Sequence, residues 1–284
     1  MNDIERRALL GAAGIGAVAA FAKAGPLNPP AGSVAPTGRT LDEIYNKIPA
    51  VGGSDGRIAV SAAGTIASPG NYVLVNDIDT PPGGNTFTIT ANNVTLDLNG
   101  FRIGNTLGGY CIVTNGAISN LVIRNGSIVG GIGGIVTDQA GIKGVLLENL
   151  RLHGQKSVGI SIGGSTSRDC VIRRCEVSEC GISSTASDPN WVAIGIVYNG
   201  SAARIEDCSV HTLANNGTNP ISRGILLNTT NATGNFVSRC HLGNSGGVAG
   251  VGILFMGPAY YRDNVVTGYS TAYSGGTNGG NNFG

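Results

Sequence analysis

The chain has 284 residues and a formal net charge of +1, with 12% of residues charged, 47 glycines and six cysteines. A balance this near neutrality leaves no electrostatic footprint for nucleic acid or an acidic membrane surface as a partner. So few charges, with abundant Gly, Val, Ile, Thr and Asn, argue against a helical protein and suit short strands joined by tight turns.

In chain order, residues 1–24 read as a targeting segment. Arg6-Arg7 precede a Gly/Ala-rich apolar run from Ala8 to Ala22, and Ala22-Lys23-Ala24 is an A-x-A cleavage pattern. This resembles a twin-arginine export signal, which implies a bacterial periplasmic or extracellular protein. The apolar run contains Gly11, Gly14 and Gly16 and is short for a membrane span, so cleavage without stable membrane insertion is expected, with a retained anchor as the alternative. Residues 25–39 are Pro/Gly-rich and read as an extended linker. Thr40 then has the character of a helix N-cap, with Glu43 three residues on, Leu41, Ile44 and Ile48 on one face and Pro49 ending the run. A helix this short is expected as a lid over the first coil of a strand-rich domain, covering its open edge.

From residue 66 onward the signal is a repeat. Aligned copies place Gly126, Leu150, Cys175, Cys208, Cys240 and Asn264 in one column, at gaps of 24, 25, 33, 32 and 24 residues. A second column runs in step through Cys111-Ile112, Gly134-Ile135, Gly159-Ile160, Gly195-Ile196, Gly224-Ile225 and Gly252-Ile253. Units of this length with three short β-rich runs predict coils of a single-stranded parallel β-helix spanning residues 40–273 with its cap, followed by a Gly/Asn-rich tail, 274–284. The segments Ser68-Pro69-Gly70-Asn71-Tyr72-Val73-Leu74 and Asn93 to Phe101, NVTLDLNGF, resemble the opening of exported proteins of the pectin-lyase-like superfamily. That resemblance implies an all-β, right-handed parallel β-helix of three short parallel sheets and about 7–8 coils. It does not fix an activity, because the superfamily includes lyases, hydrolases, epimerases and phage tailspikes.

Alternation along each strand assigns the sides of the coil. Ile123, Leu147, Ile172, Ile205 and Val237 are predicted to stack in one interior file, and Ile128, Leu152, Val177, Val210 and Leu242 in another. Asn99, Asn125, Asn149, Arg174, Asp207, Arg239 and Asp263 fall at the bend between them, where a left-handed backbone and rung-to-rung hydrogen bonds or ion pairs are expected. Cys175, Cys208 and Cys240 should stack about 4.8 Å apart as buried thiols, a poor geometry for a disulfide. No CxxC pair occurs, and neither a metal nor a cofactor is expected.

The two columns lie 8 and 9 residues apart in the coils of Gly126 and Leu150, but 20, 16 and 12 apart in the next three. The added residues should form three stacked excursions, 181–193, 211–223 and 241–250, at one corner. They carry Asp188, Asn190, Trp191, His211, Asn219, Arg223 and His241, an aromatic among amides and charges suited to holding sugar rings. The expected partner is therefore a polysaccharide. The sheet beside them presents Val136, Ser161, Val197, Leu226 and Leu254 outward and no carboxylate, which speaks against the paired acids of a glycosidase. Lyase or hydrolase activity stays open as one alternative. A structural protein that forms homo-oligomers through the Gly/Val/Leu sheet is another.

Overall fold

The computed structural model describes residues 56–80, 84–106, 108–181, 193–213, 221–228, 233–244 and 250–284. The export segment 1–24, the linker 25–39 and the cap 40–49 lie outside the described residues, as do Asp188, Asn190, Trp191 and Asn219.

Among the described residues every strand pairing is parallel, and there is no helix. The chain coils through three faces, giving the parallel β-helix that the repeat predicts. Face 1 stacks ten strands and face 2 eight; they join into one 16-stranded sheet because Leu121–Gly130 and Leu146–His153 run unbroken across their shared corner. Face 3 is a separate sheet of nine strands.

The register is the one that alternation requires. Ile123, Leu147, Ile172, Ile205 and Val237 are partners on successive rungs, extended by Leu96 before them and Tyr261 after. All belong to one continuous buried core. The other interior file runs from Ile128 through Leu152, Val177, Val210 and Leu242 to Val266. At the corner between faces 1 and 2, Asn99, Asn125, Asn149, Arg174, Asp207, Arg239 and Asp263 all have φ between 52° and 61°. Asn tolerates that left-handed backbone, and the side chains then link rungs. Asn149 donates to Asn125 at 3.2 Å, Arg174 to Asn149 at 2.8 Å, and Arg239 to Asp207 at 2.6 Å. A second left-handed corner precedes face 1, at Asn93, Asn120, Gly144, Asp169 and Ala202.

The glycine column at the start of face 3 is dictated by packing. A Cβ on Gly159 would sit 2.3 Å from Val177 Cγ1 and 2.8 Å from the carbonyl of Gly195. On Gly195 it would sit 2.4 Å from Val210 Cγ1 and 2.7 Å from the carbonyl of Gly224. Each glycine thus makes room for an interior side chain of face 2 and for the backbone of the next rung.

All six cysteines are buried and unpaired with one another. Burial pushes the thiols of Cys111 and Cys180 up to about 12, so both are protonated and act as small apolar side chains.

One expectation is corrected. Residues 274–284 are not a tail outside the coil. Thr277 and Asn278 pair with Tyr260 and Tyr261, and Phe283 bridges to Val265, because the Asn-rich segment can satisfy the last rung's open edge. Asn282 accepts from the backbone and the side-chain amide of Asn264, both at 3.1 Å. On the outward strip of face 3, Leu254 is half-buried. Val136, Val197 and Leu226 are at most 8% exposed although they lie outside the interior cluster.

Candidate functional site

The excursions leave and re-enter at one corner, since Ala193, Ser222 and Gly250 resume face 3 in register. Their described candidate residues are spread over two faces. His211 ends Ser209–His211 on face 2, in the column of His153 and Ser178, and its Nε2 lies 3.0 Å from Glu176 Oε1. His241 begins His241–Gly243 in the neighbouring column, on the rung after Ser209. Arg223 is not a loop residue. It lies within Ser222–Leu227 on face 3, between Ile194 and Val251.

Face 2 brings histidine, serine and glutamate side chains together. His153 Nδ1 is 3.3 Å from Ser178 Oγ, and its Nε2 is 3.5 Å from Glu179 Oε2. The following backbone N–H, that of Glu179, is committed to the carbonyl of His211. That N–H is therefore not free to serve a developing oxyanion. No cluster of His, Cys, Asp or Glu suited to a metal ion occurs among the described residues.

A concavity lies on face 1, at its C-terminal rungs. It is an open groove of about 660 Å³ lined by Arg204, Phe236, Tyr260, Arg262 and Thr277, with Asn235 at its base. Strand alternation builds it. Val237 and Tyr261 point into the core, so Phe236 and Tyr260 point outward on adjacent rungs, with Arg204 one rung before and Thr277 one rung after. Tyr260 is 54% exposed and Phe236 half-buried. The Arg262 guanidinium lies 5.8 Å over the Phe236 ring, within reach of a cation–π contact. Asn235 is buried, donating to the carbonyl of Gly200 and accepting from the N–H of Ala203, so the floor is rigid. Among the described lining residues there is no carboxylate, histidine or cysteine.

Sequence reasoning passed over this site, although a signal was there. Phe236 and Tyr260 share the offset four residues before the first column, in line with Arg204, and the excursions drew attention to another corner.

Fold and groove together define a parallel β-helix protein with an aromatic, acid-free concavity on one face. No family model matches the chain, and no curated protein matches it. Among solved structures, it is similar to the tailspike protein of E. coli bacteriophage HK620 in complex with a pentasaccharide, at 15% identity and a TM-score of 0.38. That match covers 73% of this chain and 43% of the tailspike, so this chain spans less than half of that protein's length.

Proposed function

We propose that this chain is an exported β-helix protein that binds polysaccharide through the Phe236/Tyr260 groove and does not transform it. The observation that carries the reading is the adjacent pair of outward aromatics in an open groove whose described lining has no carboxylate or histidine. Aromatic faces about 4.8 Å apart along the coil offer successive platforms to the apolar faces of sugar rings. Hydrolysis or elimination would need a positioned acid or base at those rings. In the same reading the Arg6-Arg7 segment directs export and is removed, and Asp188, Asn190, Trp191 and Asn219 of the excursions supply further sugar contacts, separate from His211 and His241 on face 2 and Arg223 on face 3.

The test is a glycan array with the full mature chain, paired with Tyr260→Ala and Phe236→Ala. Loss of a central aromatic contact should weaken retention by roughly tenfold or more. The exposed Tyr260→Ala should leave stability within about 0.5 kcal/mol. Trp191→Ala on the same array separates the excursions from the groove. Retention unchanged in both groove variants would overturn the assignment, and release of shortened or unsaturated sugars would overturn the non-catalytic reading.

A further inference from the structure

Beside the aromatic column of face 1 runs a column of alternating charge. Asp97, Arg124, Glu148, Arg173 and Glu206 are partners on successive rungs. Arg124 lies 3.1 Å from Asp97 and Arg173 lies 2.9 Å from Glu148, so each arginine has a carboxylate on the rungs before and after it. The alternation stops at the groove. The next two residues are Ser238 and Arg262. Ser238 is fully buried, and its Oγ has no hydrogen-bond partner among the described residues. Arg262 therefore has no acid on the preceding rung of its column. Its carboxylate contact is Asp263, the next residue in the chain, at 3.3 Å. One rung before Phe236 in the aromatic column, Arg204 is mostly exposed and reaches Glu206 only at 3.9 Å.

The geometry points to an acidic glycan as the ligand of this groove: a sugar bearing a carboxylate or a sulfate ester, stacked on Phe236 and Tyr260 and held through its anion by Arg262 and Arg204. This rests on the glycan-binding reading of the groove. Guanidinium donors suit planar, paired acceptor oxygens. The break in the charge column leaves Arg262 facing the groove with its acid supplied only by the adjoining residue Asp263, whereas every earlier arginine of that column is paired across rungs. The arginines sit at the edge of an open groove, so the anion's contribution is screened by salt on the scale of the Debye length, about 10 Å at 0.1 M.

Calorimetry with the mature chain tests this with matched probes: a short oligoglucuronate against its carboxyl-reduced counterpart, dextran sulfate against dextran, and a single-stranded oligonucleotide. A charge-assisted contact predicts a preference of roughly tenfold for the acidic member of at least one pair. That preference should shrink as salt rises, and the pair that shows it distinguishes carboxylate from sulfate. Arg262→Gln and Arg204→Gln should each reduce the preference while residual binding of the neutral member persists. Arg124→Gln, which removes a charge from the same face away from the groove, should leave the preference intact. Equal binding of acidic and neutral members overturns the inference and leaves the glycan-binding reading standing. An acidic preference insensitive to Arg262→Gln and Arg204→Gln overturns it too, as does tighter binding of the oligonucleotide than of any glycan. Failure of every glycan to bind overturns both.

Discussion

Glycine content in this chain has two different causes, and substitution separates them. At Gly195 the space a Cβ would need is filled by Val210 and by the backbone carbonyl of Gly224, which cannot move without breaking a rung. Gly195→Ala should cost at least about 2 kcal/mol, in the range of overpacked cores. At Gly64, also in a strand, a Cβ would meet nothing within 4 Å. Gly64→Ala should be neutral or stabilise by up to about 1 kcal/mol by restricting the unfolded chain. Urea denaturation of the two variants decides the matter. Equal midpoints would show that the glycine column is not a packing requirement. The sequence exposed the column through its spacing, but only the opposing face shows what forbids a side chain there.

The ladder between faces 1 and 2 is the element that sets the register of this sheet, and its chemistry changes along the coil. Asparagine amides link the early rungs, while the Arg239 guanidinium grips Asp207 through both oxygens, at 2.6 and 3.0 Å. The hydrogen bond from Arg239, with the nearby positive charge, holds the Asp207 carboxyl below its ordinary range. A carboxyl whose folded value is depressed contributes stability that is present above the unfolded value, about 3.9, and is lost as pH falls through the folded one. Asp207→Asn should therefore remove a small part of the acid sensitivity below pH about 4 and change little at neutral pH, since exposed pairs contribute only about 0–1 kcal/mol. Melting temperature against pH for both proteins tests this. A large neutral-pH loss in the variant would mean that the pair, rather than the left-handed backbone, holds the corner. Sequence alone identified these bend positions because the left-handed preference of Asn and the turn spacing are local properties. Which arginine meets which aspartate depends on rungs 32 residues apart in the chain.

At the scale of the whole molecule, a coil is held by its neighbours above and below and by little else, so damage at one rung propagates. Leu147 is fully buried between Ile123 and Ile172. Leu147→Ala should cost about 2–5 kcal/mol and still melt cooperatively. Leu147→Asp should give no soluble cooperative fold, because an unpaired buried charge exceeds what a marginally stable domain tolerates. Circular dichroism with thermal melting checks both, and a soluble, cooperative Leu147→Asp protein would refute the interior file. The sequence by itself determined the coil, its interior files and its left-handed corners, because alternation, turn preference and repeat spacing are properties of short stretches read in register. Only the tertiary structure decided where a ligand could sit. Arg204, Phe236, Tyr260 and Arg262 lie on three rungs far apart in the chain, and they form one surface because parallel stacking sets their outward side chains one above the next. The same stacking sent His211 and His241 to face 2 and Arg223 to face 3, since a strand residue's direction follows its place in the coil rather than the insertion beside it.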